Sequence, residues 1–462
     1  MKKNRFSVIA ALLLTLSLLL TACGGRAANT NTNVDTTTPT AAEDKSGYEF
    51  SNRDLDPSYD EVAAAVTLSD SGSAAEGSGV TVEGSNVTVT AAGTYVFSGT
   101  LTSGSITVAA GEEEKVQLVL NGVSVTNPDG PALYVKSADK VFLTLADGTD
   151  NTLADGSGAA ATDDDKDLDG AVFSRADLTI NGSGSLTVLG NSKHGVVSKD
   201  DLVITGGTIT VTAQNVALSG NDCVKIADAV LDLTAGTDGI RADNDEDAER
   251  GYVYIKSGTI TVDAGTDGIQ AKTDLYVAGG TLTLSSGNDG ARADETLTVN
   301  GGTLVITAAE GLEATVVTIN DGDISITASD DGINAAQKSS AYTPLVEING
   351  GKITIVMGPG DTDGVDSNGN IVINGGTVSV TGNSTFDYEG SGVINGGTVI
   401  VNGQQVTTLP NQMMGGGMGG QGGGPGGQPG GQPGGTPPGG QPGGTPPGGQ
   451  PGGTPPGGFG HP

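Results

Sequence analysis

The sequence predicts an all-β fold: a parallel β-helix of about 22 residues per coil, flanked by disordered tails. One cassette recurs, as DLVITGGTITVTA (201–213), YVYIKSGTITVDA (252–264), DLYVAGGTLTLSS (274–286), TLTVNGGTLVITA (296–308), VVTINDGDISITA (316–328), LVEINGGKITIVM (345–357) and NIVINGGTVSVTG (370–382). Its spacing is nearly fixed, since Ile255, Val277 and Val299 are 22 apart, Ile319 follows after 20 and Ile348 after 29. Within it apolar and polar letters alternate with period 2, and no amphipathic-helix pattern intervenes, which excludes helical solenoids. A β-sandwich would show varied hairpins rather than one repeated unit.

From the N-terminus, residues 1–22 are predicted to be a lipoprotein signal peptide. Lys2, Lys3 and Arg5 precede an apolar run over 8–20 that is too short for a membrane span. The run ends in Leu20-Thr21-Ala22-Cys23, which resembles a bacterial lipobox. That resemblance implies an exported protein, lipid-anchored through Cys23 and facing outward; an ordinary signal peptide with a chance cysteine is the alternative. With Cys23 used, Cys223 has no disulfide partner and reads as a buried small hydrophobe. Residues 23–55 form a polar linker too poor in apolar residues to fold. The β-helix is predicted over 56–405, its first coils and cap drawn from the less regular stretch 80–176. Residues 406–462, built largely of GGQPGGTPP repeats, are predicted to be a disordered tail.

Each coil is expected to hold two alternating strands joined at Gly-Gly, then a short third piece such as DGIRA (238–242) or DGIQA (267–271). The alternation points Leu275, Val277, Leu282 and Leu284 inward and threonines outward. The longer spacings coincide with polar insertions at 244–250 and 337–344. Aromatics are 3% of the chain and Trp is absent, so small and β-branched residues must fill the core.

The formal charge is −33, and removal of the first 22 residues, which carry three basic and no acidic residues, takes it to −36. Such a chain does not bind nucleic acid by neutralising phosphates, but it attracts divalent cations. The recurrent acids Asp238, Asp267, Asp289, Glu310, Asp331 and Asp363 each precede Gly. Stacked in register they would form a column at about 4.8 Å spacing. Two readings stand: solvated Asp-Gly turns, in which Gly accepts positive φ, or carboxylates that gather Ca²⁺ between coils. Asp165, Asp167 and Asp169, followed by Gly170, match the first half of an EF-hand-type loop, although Ala176 replaces its final Glu. Asp243 and Asp294 extend the candidate Ca²⁺ ligands, and the insertion 244–247 is a weaker third acidic cluster.

The stretches AAGTYVFSGTL (91–101), VLNGVSVTNPDGPALYVKSADKV (119–141), FSRADLTINGSGSLTV (173–188), VSKDDLVITGGTITV (197–211) and DGIRADNDEDAERGYVYI (238–255), with the DGIQA cassette, resemble a family of bacterial cell-surface carbohydrate-binding proteins. The resemblance implies a right-handed parallel β-helix like that of pectate lyases, bound calcium, and cellulose-like or acidic plant polysaccharides as partners. A protein of this charge repels a polyuronate unless bridging Ca²⁺ or a basic patch intervenes. Arg241, Lys272 and Arg292 are the candidate basic contacts, and Tyr252, Tyr254 and Tyr276 the candidate aromatic ones. The expected protein is a non-catalytic monomer that binds polymer by multivalency. Its rivals are a calcium-dependent pectate-type lyase, with one of these cations as base, and a passive adhesin or spacer. His194 and His461 carry no constellation around them.

Overall fold

The structure is a computed structural model, and it describes residues 48–158, 161–163, 166–359 and 362–411. Cys23, Asp165, His461 and most of the tail lie outside the described residues. The fold is the expected parallel β-helix. Coil after coil repeats three strands, for example Asp274–Val277, Thr281–Ser286 and Asp289–Ala293, followed by Thr296–Val299, Thr303–Ala308 and Glu310–Ala314. Each strand pairs in parallel with its counterpart one coil on, giving three ladders. We call them, in the same order, the tyrosine, threonine and cassette ladders. At the N-terminal end Val80–Glu83 and Asn86–Val89 make an antiparallel hairpin that leads into the cassette ladder. At the other end Gln404–Val406 folds back on Thr398–Val401.

Alternation places the apolar letters as expected: Leu275, Val277, Leu282 and Leu284 are buried. In register they build continuous files, such as Leu231, Ile260, Leu282, Leu304, Ile324, Ile353 and Val378. Burying each such side chain contributes about 1.5–3 kcal/mol, and only stacking removes it from water. Cys223 is buried and in no disulfide, but its strand alternates so that Val224 and Ile226 join the core while Cys223 lies on the outer face, in register with Asp201 and Tyr252.

Two glycine roles separate. In the Gly-Gly turns the second glycine takes positive φ, 100° at Gly280 and 94° at Gly302. The glycine of Asp-Gly has a different role: none of Gly239, Gly268, Gly290, Gly311, Gly332 and Gly364 has positive φ. A Cβ on Gly290 would lie 2.2 Å from Ile306 Cγ2 and 2.6 Å from the Gly311 carbonyl oxygen. Close coil packing therefore selects glycine there, and the expectation of a turn with positive φ is corrected. Before the glycine turns, Asn300, Asn320, Asn349, Asn374 and Asn395 form an amide ladder, each Nδ2 after the first donating to the preceding Oδ1 at 2.7–2.8 Å.

The packed chain begins earlier than the sequence suggested. Residues 48–55, expected as linker, lie against the tyrosine ladder and include a short helix, Asn52–Leu55, capped by Ser51 and Asp54. At the far end the packed chain reaches residue 411, with Leu409 buried in the core and Asn411 Nδ2 donating to the Tyr388 carbonyl.

Candidate functional site

The cassette ladder brings the recurrent acids into one file. Asp289 pairs in register with Glu310, and Asp331 with Asp363. The Asp267 amide lies 3.5 Å from Asp238 Oδ1, and the Asp289 amide donates to Asp267 Oδ1 at 3.2 Å. These are not solvated turns: Asp238, Asp267 and Asp289 are 5%, 2% and 1% exposed. A second file runs beside the first, three residues on, through Arg241, Gln270, Arg292, Glu313, Asn334, Asp366 and Asp387. Sequence reasoning took its cations and missed Glu313, Asp366 and Asp387. The signal was present as the fourth letter of each cassette, in DGAR, EGLE, DGIN and DGVD.

The two files divide electrostatically. In the lower coils, arginines neutralise the acids. Arg241 reaches Asp238 and Asp243, each at 3.3 Å, and Arg292 reaches Asp294 at 3.1 Å, Asp289 at 3.7 Å and Asp267 at 3.8 Å. Lys272 pairs with Asp294 at 2.8 Å. In the upper coils Glu310, Glu313, Asp331, Asp363, Asp366 and Asp387 crowd together, and among the described residues the ion pair found there is Lys338 with Glu313, at 2.6 Å. Burial, then the carboxylates of Glu313, Asp267 and Glu310, push the Asp289 carboxyl far above its ordinary range. Burial and Glu313 raise Glu310 likewise. Burial and Asp366 raise Asp331 to about 7, and burial and Asp387 raise Asp366 to about 6.

Oxygens of Asp289, Glu310 and Glu313 lie within 4.8 Å of one another. Among the described residues, Asp289 Oδ1 and Asn334 Oδ1 are buried without hydrogen-bond partners, while Asn334 Nδ2 donates to Glu310 Oε2 at 3.0 Å. Orphaned acceptors and crowded anions, all hard oxygen donors, fit a calcium-type ion better than a thiophilic metal.

Beside this file lies a cleft of about 400 Å³ between the two insertions, lined by Asn244, Asp245, Lys272, Asp294 and Lys338 among others. Lys338 links it to Glu313.

The remaining candidates fall elsewhere. Residues 161–163 and 166–168 pair as an antiparallel hairpin, with Thr162 opposite Asp167, so the backbone does not wrap as an EF-hand-type loop. The Asp167 side chain lies outside the described residues. Asp169 is turned to Lys193 Nζ at 2.6 Å and His194 Nε2 at 3.5 Å, so His194 does have a charged neighbour. Burial raises the Asp169 carboxyl, but these two hydrogen bonds outweigh it and hold it well below the ordinary range. Tyr252, Tyr254 and Tyr276 lie on a different ladder, under Tyr48. A further triad that sequence reasoning missed, Asp177, Asp200 and Asp201, has Lys140, Arg250 and Lys225 at 4.0, 3.7 and 3.9 Å.

A family model described as carbohydrate-binding domain-containing protein matches residues 83–291 and 285–410. A carbohydrate-binding domain-containing protein of Acetivibrio thermocellus is 46% identical over 122 residues, which are 26% of this chain. The match spans 43% of that relative's length. A solved structure titled as the polysaccharide lyase-like protein from C. thermocellum, gadolinium derivative, is 36% identical with a TM-score of 0.44. It covers 55% of this chain and 97% of its own.

Proposed function

The chain belongs to the family of carbohydrate-binding domain-containing proteins, and from that premise we propose a non-catalytic, calcium-binding polysaccharide binder whose site is the upper acid file and the adjoining cleft. The observation that carries the reading is the Asp289–Glu310–Glu313 triad, buried at Asp289 and Glu313 and half-buried at Glu310, beside the Asp289 and Asn334 Oδ1 atoms that have no hydrogen-bond partner among the described residues. Asp289, Glu310, Glu313 and the Asn334 carbonyl would hold the ion. When bound, it supplies positive charge at which an acidic sugar's carboxylate can rest. Lys338 and Lys272 offer ammonium donors to the same ligand, while Asp294 and Asn244 suit hydroxyl groups. Cellulose-like or acidic plant glycans are the expected partners, each coil adding a weak contact. Export and anchoring through Cys23 would place this surface outside the cell, with the Gly/Pro-rich tail as spacer.

A lyase needs an unprotonated base beside the metal. Arg241, Lys272, Arg292 and Lys338 each have carboxylates at 2.6–3.8 Å, and these ion pairs argue for positioning and binding. The test is retention of residues 48–411 on insoluble polysaccharides and in polygalacturonate gels, with calcium and with EDTA. Retention that EDTA weakens is expected, with no rise in unsaturated-uronide absorbance. No retention in either condition sinks the binding reading, and such a rise would establish the lyase.

A further inference from the structure

The tyrosine ladder carries a second surface, and the chain's own residues 48–56 sit on it. Tyr48 stacks on Tyr254, with ring centroids 5.0 Å apart and planes 10° from parallel, and leans on Tyr252 and Tyr276 at 5.1 and 5.3 Å. Six residues on, the Asp54 carboxylate takes a 2.8 Å ion pair from Lys140 and a 2.6 Å hydrogen bond from Thr179. Between these anchors the ladder grips backbone: Lys225 donates to the Glu49 carbonyl at 3.2 Å, and Asn181 and Thr205 donate to the Asp54 carbonyl. Of residues 48–56 only Tyr48 and Asp54 are buried.

The strap thus holds on with the Tyr48 ring, the Asp54 carboxylate and a few carbonyl oxygens, and also with the Phe50 ring, 5.9 Å from Tyr254, and the Arg53 guanidinium, which donates to Gln117 Oε1 at 2.6 Å and lies 5.0 Å from the Phe142 ring. The first three are groups that an extended uronate chain presents: a ring face suited to stacking on tyrosine, a carboxylate, and oxygen acceptors between. In a chain of net charge −33, this face carries Lys140, Lys225 and, over the Phe50 ring at 5.8 Å, Lys256, the first two also facing Asp177 and Asp201 at 4.0 and 3.9 Å. Withdrawal of Asp54 would leave Lys140 with Asp177 at 4.0 Å, so an arriving carboxylate restores a lost charge partner. Asp54 itself belongs to a four-residue helix, one turn that can leave without unpairing any rung of the solenoid.

We propose that the face beneath residues 48–56 is a second glycan-binding surface, for uronate-containing chains, which this strap occupies and which a glycan reaches by displacing it. It rests on the glycan-binding reading but not on the acid file, which lies on another ladder. Because the strap is seated in most molecules, apparent affinity is the intrinsic affinity multiplied by the fraction of molecules that are open.

The test uses the double variant Tyr48→Ala, Asp54→Asn in EDTA, so that no ion contributes, with polygalacturonate in affinity gels as probe. At least tenfold tighter retention than wild type is expected, and Tyr254→Ala added to the double variant should abolish the gain. A folded double variant retained no better than wild type would overturn the proposal. Should that variant fail to fold, amide hydrogen exchange on the wild-type chain decides. Oligogalacturonate in EDTA should speed exchange across 49–56, and unchanged or slower exchange there overturns the proposal. Failure of the calcium-dependent reading would show separately, as wild-type retention that is indifferent to EDTA.

Discussion

Asp289 and Glu310 stand side by side on adjacent coils, in-register partners whose carboxylates share one crowded pocket with Glu313. At about 4.8 Å and an effective dielectric of about 20, each like-charged pair costs about 3.5 kcal/mol. A fold that retains such a cluster under burial needs protons or a cation there. Asp289→Asn removes one charge and one oxygen ligand together. In EDTA the variant should melt no lower than wild type. In millimolar calcium, wild type should gain about 2–3 kcal/mol, as for an ion at 100 times its Kd, while the variant gains little. Thermal unfolding with and without calcium reads this directly, and equal calcium shifts in both proteins would exclude Asp289 as a ligand.

The same groups set an unusual pH dependence. Asp331 and Asp366 titrate near 7 and 6 in the fold, and Asp289 and Glu310 are raised too, mainly by burial. A carboxyl whose folded pKa is raised adds stability that is complete below its unfolded pKa, about 4, and is lost as pH climbs through the folded value. Without calcium, therefore, melting temperature should fall between pH 5 and pH 8, and calcium should stabilise most at the upper end. Asp54 and Asp169 are shifted downward, so their stabilisation is lost only as pH falls below about 4. A flat EDTA curve from pH 5 to 8 would contradict the raised values.

The coil was legible because alternation and period are properties of single letters at fixed offsets. Leu282 and Leu284 had only to fall inward, and they did. Glu313 was harder to see, because its importance comes from standing beside Asp289 and Glu310 one coil away, and the first cassette letter drew attention from the fourth. Asp169 misled for the opposite reason: its local spacing imitated an ion loop, while the chain folded into a hairpin and Lys193 took the carboxylate. The strap was invisible, since residues 48–56 are short, polar and alone, and only the distant tyrosine ladder gives them a place.

Lys338 competes with any ion for Glu313. Its Nζ lies 2.6 Å from Glu313 Oε2, and it reaches there from the second insertion. Lys338→Met frees the carboxylate but leaves it buried without a counter-charge. Calcium affinity by titration calorimetry should rise several-fold, while stability in EDTA falls by about 1–3 kcal/mol, less than for a fully buried pair because the lysine is partly exposed. Acidic-glycan retention should weaken, since the cleft loses an ammonium. A fall in calcium affinity would mean that Lys338 supports the site instead of competing for it.

Coil stacking at the acid file leaves no room for a methyl group. A Cβ on Gly290 would lie 2.6 Å from the Gly311 carbonyl oxygen and 2.2 Å from Ile306 Cγ2, and backbone cannot yield as a flexible side-chain tip can. Gly290→Ala should therefore cost about 3 kcal/mol or more, the upper range for overpacking, although alanine is otherwise the milder choice for a strand. Prising the coils apart at Gly290 also moves Asp289 from Glu310, so calcium stabilisation should shrink with it. Gly158 is the control, because a Cβ there meets no described residue within 4 Å and its φ is not positive. Gly158→Ala should leave both melting temperature and calcium response unchanged. If Gly290→Ala keeps wild-type stability and calcium response, then the carboxylate spacing is not set by contact between coils, and the ion site must draw its geometry from elsewhere.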